Sequence, residues 1–520
     1  MGILDILNWA SSGWAPLWLA ASAGVIYAIA SCVYLLYFHP ASRFPGPKLA
    51  AISYISYCYY WIVGRHPWRQ EDLIREYGDV VRIGPNDVLF YTPQAVMDIY
   101  GPMSKGQEAF VKTNLMDFGQ GDLGFSWQPN PAIRKATGKK ILPAFSNKAN
   151  KNKEPLVHAY IDLFIDKMRN LGGKPEGLLM NDWLYWLAVD MAADLAYGRE
   201  MTHLKDGKTS DFASSLRATS FSALLIQLSK KMPMIGLLAP LFIPLRVYRA
   251  VPAIISANRA EVQARIDRRG KTKHPDYVDF LIGPDDPPPS NKKEREHLEQ
   301  VAFQMFAAGY DPINIITYAG MFFLLQNPKV HAALTAEIRG AFSSYDEITH
   351  DVLIGLPYLQ AFIHESLRKH LIAPTGMPRI SPGATIDGNY VPKGVIVESS
   401  PFTAMRHERY FTDPLEFRPE RWLPHDHPLY DARFADDNLR AFFPFSLGVR
   451  QCAGREIAWT QYRLFLAKVL WTFDLEAVSG HDKSFDQDVS AHVMWNHPDL
   501  FVRFLPAKGQ ELNGHLHPIS

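Results

Sequence analysis

The sequence is poor in cysteine and in net charge, and each shortage excludes a class of protein. Only three cysteines occur, Cys32, Cys58 and Cys452, and so sparse and odd a set argues against a disulfide framework and favours a reducing compartment. Because 54 Lys+Arg face 53 Asp+Glu, the net charge is +1, which removes the electrostatic case for a nucleic-acid binder. With 47% hydrophobic and 21% charged residues, the 520-residue chain is globular rather than largely disordered.

Several catalytic motifs are also missing. His364-Glu-Ser-Leu-Arg368 begins like the zinc motif H-E-x-x-H, but arginine stands where the second histidine ligand is needed. No G-x-S-x-G elbow of a serine hydrolase appears. Gly119–Gly124 matches G-x-G-x-x-G but lacks the preceding hydrophobic strand and the later acidic residue of a dinucleotide site. Length alone fits about three domains or one large enzyme domain.

The N-terminus carries the clearest sign of location. The run Trp14–Tyr37 is uncharged and long enough to cross a bilayer, with aromatic residues near both ends. A cleaved signal peptide would have a basic start and a shorter apolar core, and a buried helical hairpin is the other alternative. Arg43 and Lys48 follow directly, so the positive-inside rule places the remainder in the cytosol. We predict a membrane anchor at residues 1–38.

Residues 39–48 hold three prolines and a glycine and predict a stiff, extended hinge, and residues 49–520 form the catalytic body. The body is predicted to be mainly helical with small β-sheets. Hydrophobic periodicity and turn residues predict the following elements: a helix at 66–78, two strands at 79–91, helices at 155–172 and 181–198, two more within 212–270, and a surface loop at 271–294. The apolar connector 233–244 is either core or a second membrane contact.

Residues 301–326 predict a helix that is buried through the middle of a large domain. Asp311 is the only ionised residue of this segment, and a carboxylate followed by Pro312 argues against a second membrane span. A lone buried acid is either a satisfied structural carboxylate or a proton-handling group.

A cysteine hairpin precedes the last long helical pattern. Phe445, Gly448, Arg450, Cys452 and Gly454 occur in the order F-x-x-G-x-R-x-C-x-G. The glycine allows a tight turn, and a cysteine at a helix N-terminus is placed to form a thiolate. A thiolate beside an arginine suits an anionic iron porphyrin; the alternative is an inert buried cysteine.

This hairpin resembles the haem-binding signature of the cytochrome P-450 superfamily, with every fixed position matched. Two further signatures follow the family's order: Glu365 and Arg368 look like its E-x-x-R, and Phe417–Trp422, which contains Arg421, looks like its P-E-R-[FW] segment. The anchor and the P-G-P hinge resemble those of microsomal, fungal members of secondary metabolism. The resemblance covers nearly the whole chain and implies the P-450 fold after one transmembrane helix.

The resemblance also implies residue roles. Cys452 would bind the iron of haem b, within a loop formed by Phe445, Gly448 and Gly454. Arg450, Arg379 and Arg134 would lie near the haem propionates. The remaining implied residues are a buried charge network behind the haem (Glu365, Arg368, Arg421) and a substrate pocket (Phe306, Ala307, Ala308, Thr375, Met377).

One departure from the family concerns the central helix. The family pattern is A-G-x-[DE]-T, and this chain reads Ala308-Gly-Tyr-Asp311-Pro312. The acid is kept, but the threonine whose hydroxyl helps deliver protons for O–O cleavage is lost. Asp311 and Asn314 are the predicted catalytic residues, and a substrate hydroxyl is an alternative proton donor.

The implied function is that of a membrane-anchored haem-thiolate monooxygenase of the endoplasmic reticulum, single-pass, with its catalytic domain in the cytosol. It would take electrons from an NADPH-dependent reductase and oxidise a lipophilic small molecule with O2. Because Pro312 replaces the threonine, the alternative is a haem-thiolate enzyme that desaturates, rearranges, dehydrates or couples its substrate. A non-catalytic haem- or steroid-binding membrane protein is a third hypothesis, against which the retained Asp311 and the complete hairpin argue.

Overall fold

The computed structural model describes residues 15–102, 108–119, 121–242, 245–283, 285–509 and 517, and helices dominate it. In chain order the helices are α1 Ala15–Val33, α2 Lys48–Ile52, α3 Ile55–Ile62, α4 His66–Tyr77, α5 Pro93–Tyr100, α6 Pro131–Ile141, α7 Asn147–Leu171, α8 Met180–Tyr197, α9 His203–Asp206, α10 Asp211–Lys231, α11 Pro233–Phe242, α12 Leu245–Asp267, α13 Tyr277–Leu281, α14 Lys292–Gln326, α15 Pro328–Ala341, α16 His350–Leu353, α17 Pro357–Lys369, α18 Pro401–Met405, α19 Arg455–Thr472 and α20 Phe485–Asp488.

The strands are short and form four small sheets. They are β1 Val80–Gly84, β2 Asp87–Phe90, β3 Val111–Lys112, β4 Leu178–Leu179, β5 Arg379–Ile380, β6 Ala384–Ile386, β7 Asn389–Val391, β8 Ile396–Ser399, β9 Phe473–Ser479, β10 Ser490–His492, β11 Met494–Asn496 and β12 Phe501–Pro506. The largest sheet has the order β1-β2-β8-β5-β3, in which only β2 and β8 run parallel. The others have the orders β4-β12-β9, β6-β7 and β10-β11. The prediction of a mainly helical chain with small sheets is confirmed.

The centre of the molecule is the contact between α8 and α14. Helix α8 is buried along almost its whole length, which fits the apolar residues that make up most of its sequence. It ends at Gly198, whose φ of 58° is the left-handed conformation that glycine adopts freely. Where α14 crosses α8, a Cβ at Gly309 would lie 3.2 Å from Cβ of Ala192. The glycine therefore allows the close helix packing that places the middle of α14.

Most predicted elements are confirmed, with shifted starts. Helix α4, strands β1 and β2, and the end of α8 lie where the pattern put them. Helix α14 starts at Lys292 rather than at 301, because the Asn291 side chain caps it by accepting from the Glu294 N–H. Helix α7 starts at Asn147 rather than at 155, after a cap from Ser146, and it carries Pro155 in its interior.

The prediction of a loop at 271–294 is wrong in part. A short helix, α13, lies inside it, and α14 begins before its end. The cause is a pair of aspartates: the side chain of Asp276 accepts from the Asp279 N–H, and that of Asp279 accepts from the Asp276 N–H. This reciprocal cap starts a helix in a stretch whose prolines and charges favour a loop.

The apolar connector is helix α11, and reading it as core is wrong. Four of its large hydrophobic side chains are exposed: Met234, Leu237, Leu238 and Leu241. Leu237 is 73% and Leu241 is 75% exposed. An exposed apolar face of this kind marks a surface that contacts something apolar. This exposure argues against a core segment, and the membrane contact stays a prediction.

The N-terminal apolar helix is long enough to cross a membrane. Pro16–Phe38 has a mean hydropathy of 2.0, and none of its most apolar stretch is buried against the rest of the chain. It ends in a π-helical turn at Tyr34–Phe38. A signal sequence would pass the same test of length and composition, so the helix is weak evidence for an anchor.

The segment that follows is fastened to the body. Arg82 on β1 donates from Nη1 to the Leu35 carbonyl over 2.7 Å, and its backbone N–H donates to the Pro45 carbonyl over 2.7 Å. Arg43 donates to the Tyr390 carbonyl on β7. These hydrogen bonds restrict the movement of the proline-rich stretch that connects the N-terminal helix to the body.

Candidate functional site

The cysteine hairpin folds into a tight loop before α19. The Cys452 N–H donates to the Phe445 carbonyl over 2.9 Å, which closes the loop. Gly448 has a φ of 65°, and a Cβ there would lie 2.4 Å from the Tyr100 carbonyl oxygen. Only glycine fits this position. Ser446 also has a positive φ, of 59°, which is strained for a residue with a side chain, so the backbone is left-handed on both sides of Leu447.

Cys452 faces a cavity rather than the outer surface. Its side chain has accessible area, and that area belongs to the cavity wall. Burial raises the pKa of the thiol, while the Gly454 N–H and the Arg455 charge lower it. Helix α19 begins only at Arg455, so the peptide surroundings do not by themselves produce the thiolate that the sequence predicts. Metal coordination deprotonates such a thiol.

The cavity has a volume of about 370 Å³ and lies between α14 and the cysteine loop. Its α14 wall is apolar and consists of Met305, Ala308, Gly309, Pro312, Ile313 and Ile316. Phe445, Arg450, Cys452 and Gly454 line the opposite side. Of the described residues that line it, none is acidic, whereas Lys112, Arg134 and Arg450 are basic. The site is thus an apolar slot with a cationic edge.

The three basic residues of this edge form a cluster with Arg379, which is not among the described residues of the cavity wall, and the four charges act on one another. Burial lowers the pKa of Arg450 to about 10, with further lowering by Arg134 and Arg379. Burial and the same three arginines hold the pKa of Lys112 well below its usual value. Within the described chain, Arg134 Nε and Arg450 Nη1 are buried without a hydrogen-bond partner. Uncompensated buried donors of this kind indicate a site for an anionic group.

Main-chain carbonyls hold the cluster in position. Arg450 Nη2 donates to the Gln128 carbonyl over 2.6 Å, and Lys112 Nζ donates to the Ser126 carbonyl over 2.7 Å. Arg379 Nη1 donates to the Met377 carbonyl over 2.9 Å. Sequence reasoning missed Lys112, since it lies on a two-residue strand that no motif marks.

A second charged cluster lies behind the loop, centred on Glu365. Arg368 forms a bidentate pair with this carboxylate, at 2.8 Å from Nε to Oε2 and 2.7 Å from Nη2 to Oε1. Arg421 Nε lies 3.3 Å from Glu365. All three side chains have no exposed surface. The structure therefore brings together the three residues that the sequence predicted as a network.

The network is larger than the sequence indicated. Trp422 Nε1 donates to Glu365 Oε2 over 2.9 Å, and the Arg418 N–H donates to Oε1 over 2.8 Å. Arg421 Nη1 also pairs with Asp437, which no motif marked. Although burial opposes ionisation, Arg368 and Arg421 bring the pKa of Glu365 down to about 2.

The predicted substrate-pocket residues divide into two groups. Ala308 lines the cavity. Phe306, by contrast, packs in the core against Tyr197 and Phe212, with ring centroids 5.8 and 6.0 Å away, and Ala307 packs against the same core. Neither of these, nor Thr375 or Met377, is among the described residues of the cavity wall.

Neither of the two predicted catalytic residues is among the described residues of the cavity wall. Asp311 directly precedes the cavity-facing Pro312, and its charge acts on the hydroxyls of Tyr185 and Tyr310. Burial raises the pKa of Asp311 to about 7. Asn314 is two residues, about 200° of helix rotation, beyond Pro312, and the cavity wall as described does not include it.

Comparison with known proteins gives one consistent answer. The cytochrome P450 family model matches residues 54–504. The chain is 45% identical over 481 residues to cytochrome P450 monooxygenase TwmD of Talaromyces wortmannii, covering 92% of this chain and 94% of that one. It is 33% identical over 495 residues to cytochrome P450 monooxygenase btcC of Colletotrichum orbiculare, covering 94% of each.

A solved structure supports the fold independently. The crystal structure of the cytochrome P450DA heme domain superposes with a TM-score of 0.71 at 17% identity, covering 89% of this chain and 98% of that one. The matched span contains the cysteine loop, the Glu365 network and the central helix. The chain therefore belongs to the cytochrome P450 family and is a monooxygenase, like the fungal relatives that it matches.

Proposed function

We propose that this protein is a membrane-anchored haem-thiolate monooxygenase of fungal secondary metabolism that oxidises a lipophilic small molecule. The observation that carries the proposal is the slot at Cys452, which combines an apolar wall, a cationic edge and a single thiol. A lipophilic substrate fits the side chains of the α14 wall, none of which carries charge.

Family and fold imply a haem whose iron is bound by a cysteine thiolate, and the residues present fit that group. Cys452 Sγ would bind the iron. Two carboxylates at the cationic edge would satisfy the orphaned donors Arg134 Nε and Arg450 Nη1, with Arg379 and Lys112 adding positive charge. We propose haem b as the form bound, as the family resemblance implies, and its two propionates would match the edge.

The haem, when bound, supplies the activation of O2. The chain's own residues exclude water, position the substrate and hold a proton. The apolar wall formed by Ala308, Gly309 and Pro312 excludes water and places the substrate. Burial raises the pKa of Asp311 to about 7, which is the range that suits proton transfer near neutral pH.

A second candidate reaction rests on Pro312. Its side chain lines the cavity at the position where the family carries a hydroxyl, and proline supplies neither a hydroxyl nor an N–H. Asn314 lies on the other side of α14 and does not replace it. A reaction with less demand for delivered protons, such as desaturation, rearrangement, dehydration or coupling, therefore remains the alternative.

Deleting the gene in its native host distinguishes these reactions. We expect an intermediate to accumulate whose mass is one oxygen atom below that of the lost product, measured by high-resolution mass spectrometry. Complementation with the intact gene should restore the product. A difference of two hydrogens, or no difference in mass, would contradict oxygen insertion and establish the Pro312 alternative.

The proposal extends to location and partners. We propose that residues 1–38 anchor the chain once in the endoplasmic reticulum membrane, that 39–48 connect the anchor to the body, and that 49–520 form a cytosolic catalytic domain. An NADPH-dependent reductase is the proposed electron donor, since the family's monooxygenases draw electrons from a redox partner. The charge balance gives no support for a nucleic-acid partner.

Helix α11 should hold the body to the membrane when the anchor is removed. In a chain beginning at residue 39, we expect Leu237→Asp with Leu241→Asp to reduce binding to lipid vesicles about a hundredfold, since two buried leucines contribute roughly 3 kcal/mol or more. Co-sedimentation measures this change. Leu429→Asp with Leu439→Asp, at two leucines outside α11 that are half-exposed, is the control. Equal loss in both pairs would contradict a specific contact at α11.

A further inference from the structure

A buried glutamine on α14 holds a loop that forms part of the cavity wall. Gln304 is 3% exposed. Its Oε1 accepts from the Phe125 N–H over 2.9 Å and from the Ser126 N–H over 2.8 Å, and its Nε2 donates to the Leu123 carbonyl over 2.9 Å. One buried side chain therefore satisfies three main-chain groups of the same loop, as buried polar groups require.

The loop leaves room for this side chain at one glycine. Gly124 has a φ of 60°, and a Cβ there would lie 2.6 Å from both Oε1 and Nε2 of Gln304. Glycine is therefore needed both for the left-handed backbone and for the close approach of the amide. The G-x-G-x-x-G pattern at 119–124, which is not a dinucleotide site, has this packing role at its last glycine.

The residues that Gln304 holds belong to both parts of the cavity. Phe125 and Ser126 line the cavity themselves. The Ser126 carbonyl accepts from Lys112 Nζ over 2.7 Å, and Arg134 Cζ lies 4.4 Å from the centroid of the Phe125 ring. The positions of these two basic residues at the cationic edge therefore depend on the loop that Gln304 holds.

A second contact joins the loop to α14 farther from the cavity. His297 Nδ1 lies 2.9 Å from Asp122 Oδ1, and the Gly124 N–H donates to the same oxygen over 2.6 Å. Residues seven apart lie on one face of a helix, so His297 and Gln304 meet the loop from the same side. The His297 side chain is 33% exposed, whereas Gln304 is buried and bonds to the part of the loop that lines the cavity.

We propose that Gln304 is a positioning residue for substrate choice: its amide holds Phe125 in the cavity wall and so fixes the aromatic surface that a bulky ligand meets. Without this amide, two N–H groups and one carbonyl lose their partner, and a buried polar group without a partner is costly. The loop would then move away from α14 to reach water, and Phe125 would leave its place in the wall.

The inference rests on the proposed function, because the ligands that test it bind to haem iron in the holoenzyme. Imidazole and 4-phenylimidazole both bind through a ring nitrogen, and only the second places a phenyl group in the cavity. In Gln304→Met, which keeps the length of the side chain but not its amide, we expect the dissociation constant of 4-phenylimidazole to rise about tenfold as the contact with Phe125 is lost. That of imidazole should stay close to the wild-type value. The shift of the Soret band measures both.

Two further variants separate the amide's role from a general loss of polarity. Gln304→Glu keeps an oxygen that accepts from the Phe125 and Ser126 N–H groups, and it should recover most of the affinity for 4-phenylimidazole. Gln300→Met is the matched control, because Gln300 lies on the same helix, is 4% exposed, and has an amide nitrogen without a hydrogen-bond partner in the described chain. It should bind both ligands as the wild type does.

Amide hydrogen exchange tests the same contact without any ligand. In the wild type, the Phe125 and Ser126 amides should exchange slowly, and in Gln304→Met they should exchange faster while the rest of α14 stays protected. Fast exchange of these two amides in the wild type would overturn the proposal, whether or not the variant folds.

The failure of this inference is distinct from failure of the proposed function. Unchanged binding of 4-phenylimidazole in Gln304→Met, at full haem content, would overturn the role of Gln304 and leave the haem-thiolate function intact. An equal loss in Gln300→Met, or an equal loss of imidazole binding in Gln304→Met, would overturn it as well, since the effect would then be a general one. A wild-type protein whose Soret band does not respond to imidazole would overturn the proposed function itself.

Discussion

Cys452→Ala is expected to abolish the thiolate-type spectrum of the reduced carbonyl complex. Cys452 is the only cysteine among the residues that line the described cavity, so no second thiolate can take its place. Absorbance difference spectroscopy of the reduced protein, with and without carbon monoxide, measures the loss. Monooxygenase activity should fall to background in the same preparation.

The fold should survive this change, because alanine keeps the Cβ and the N–H that donates to Phe445. The melting temperature of the apoprotein should therefore stay close to that of the wild type. Cys32→Ala, in the N-terminal helix, is the control and should keep a normal spectrum. A normal spectrum in Cys452→Ala would contradict the ligand assignment.

Glu365→Ala is expected to lower the free energy of unfolding by about 3–5 kcal/mol, the usual effect of removing one partner from a buried charge pair. The substitution leaves Arg368 and Arg421 without their shared carboxylate, in a site that has no exposed surface. Denaturant unfolding followed by circular dichroism measures the change. Because holoprotein yield depends on a folded loop, haem content should fall too.

Glu416→Ala is the matched control for this variant. Glu416 pairs with Arg418 at the surface, and both side chains are well exposed. Exposed pairs of this kind contribute about 0–1 kcal/mol. Equal destabilisation by the two variants would contradict a special role for the buried network.

The same network predicts how stability depends on pH. Glu365 has a pKa of about 2 in the folded protein, below its ordinary value of 4.5. A depressed folded-state pKa gives stability that is complete above 4.5 and is lost progressively as the pH falls toward 2. The amount is about 3 kcal/mol, from 1.36 kcal/mol per unit. In Glu365→Gln this part of the acid dependence should disappear.

Sequence predicted best where the functional residues are close neighbours along the chain. The cysteine loop is ten consecutive residues, and Glu365 and Arg368 are three apart on α17, so spacing alone brings their side chains together. Lys112 and Asp437 reach the same regions from distant segments. Only tertiary packing brings them there, and no local pattern could show it.

Helical phase accounts for the position of Asn314 on α14 but not for that of Phe306. At about 100° per residue, Asn314 is about 160° away from Pro312, whereas Phe306 is only about 20° away from the cavity-facing Ile313. Phe306 packs instead against Tyr197 and Phe212, and the sequence alone does not show these contacts. The apolar sequence of this helix is buried on several sides, so composition could not tell the cavity face from the core faces.

The fastening of the N-terminal helix to β1 through Arg82 has a consequence for how substrate is delivered. With the proposed anchor in a bilayer, a body tied to its end would not tumble freely, and α11 would stay at one depth relative to the bilayer. A lipophilic substrate would then be drawn from the lipid phase, where it is concentrated by partition. Turnover at low substrate would follow the mole fraction of substrate in the membrane rather than its total concentration. Lowering the amount of lipid at fixed enzyme and substrate would raise this mole fraction and speed the reaction.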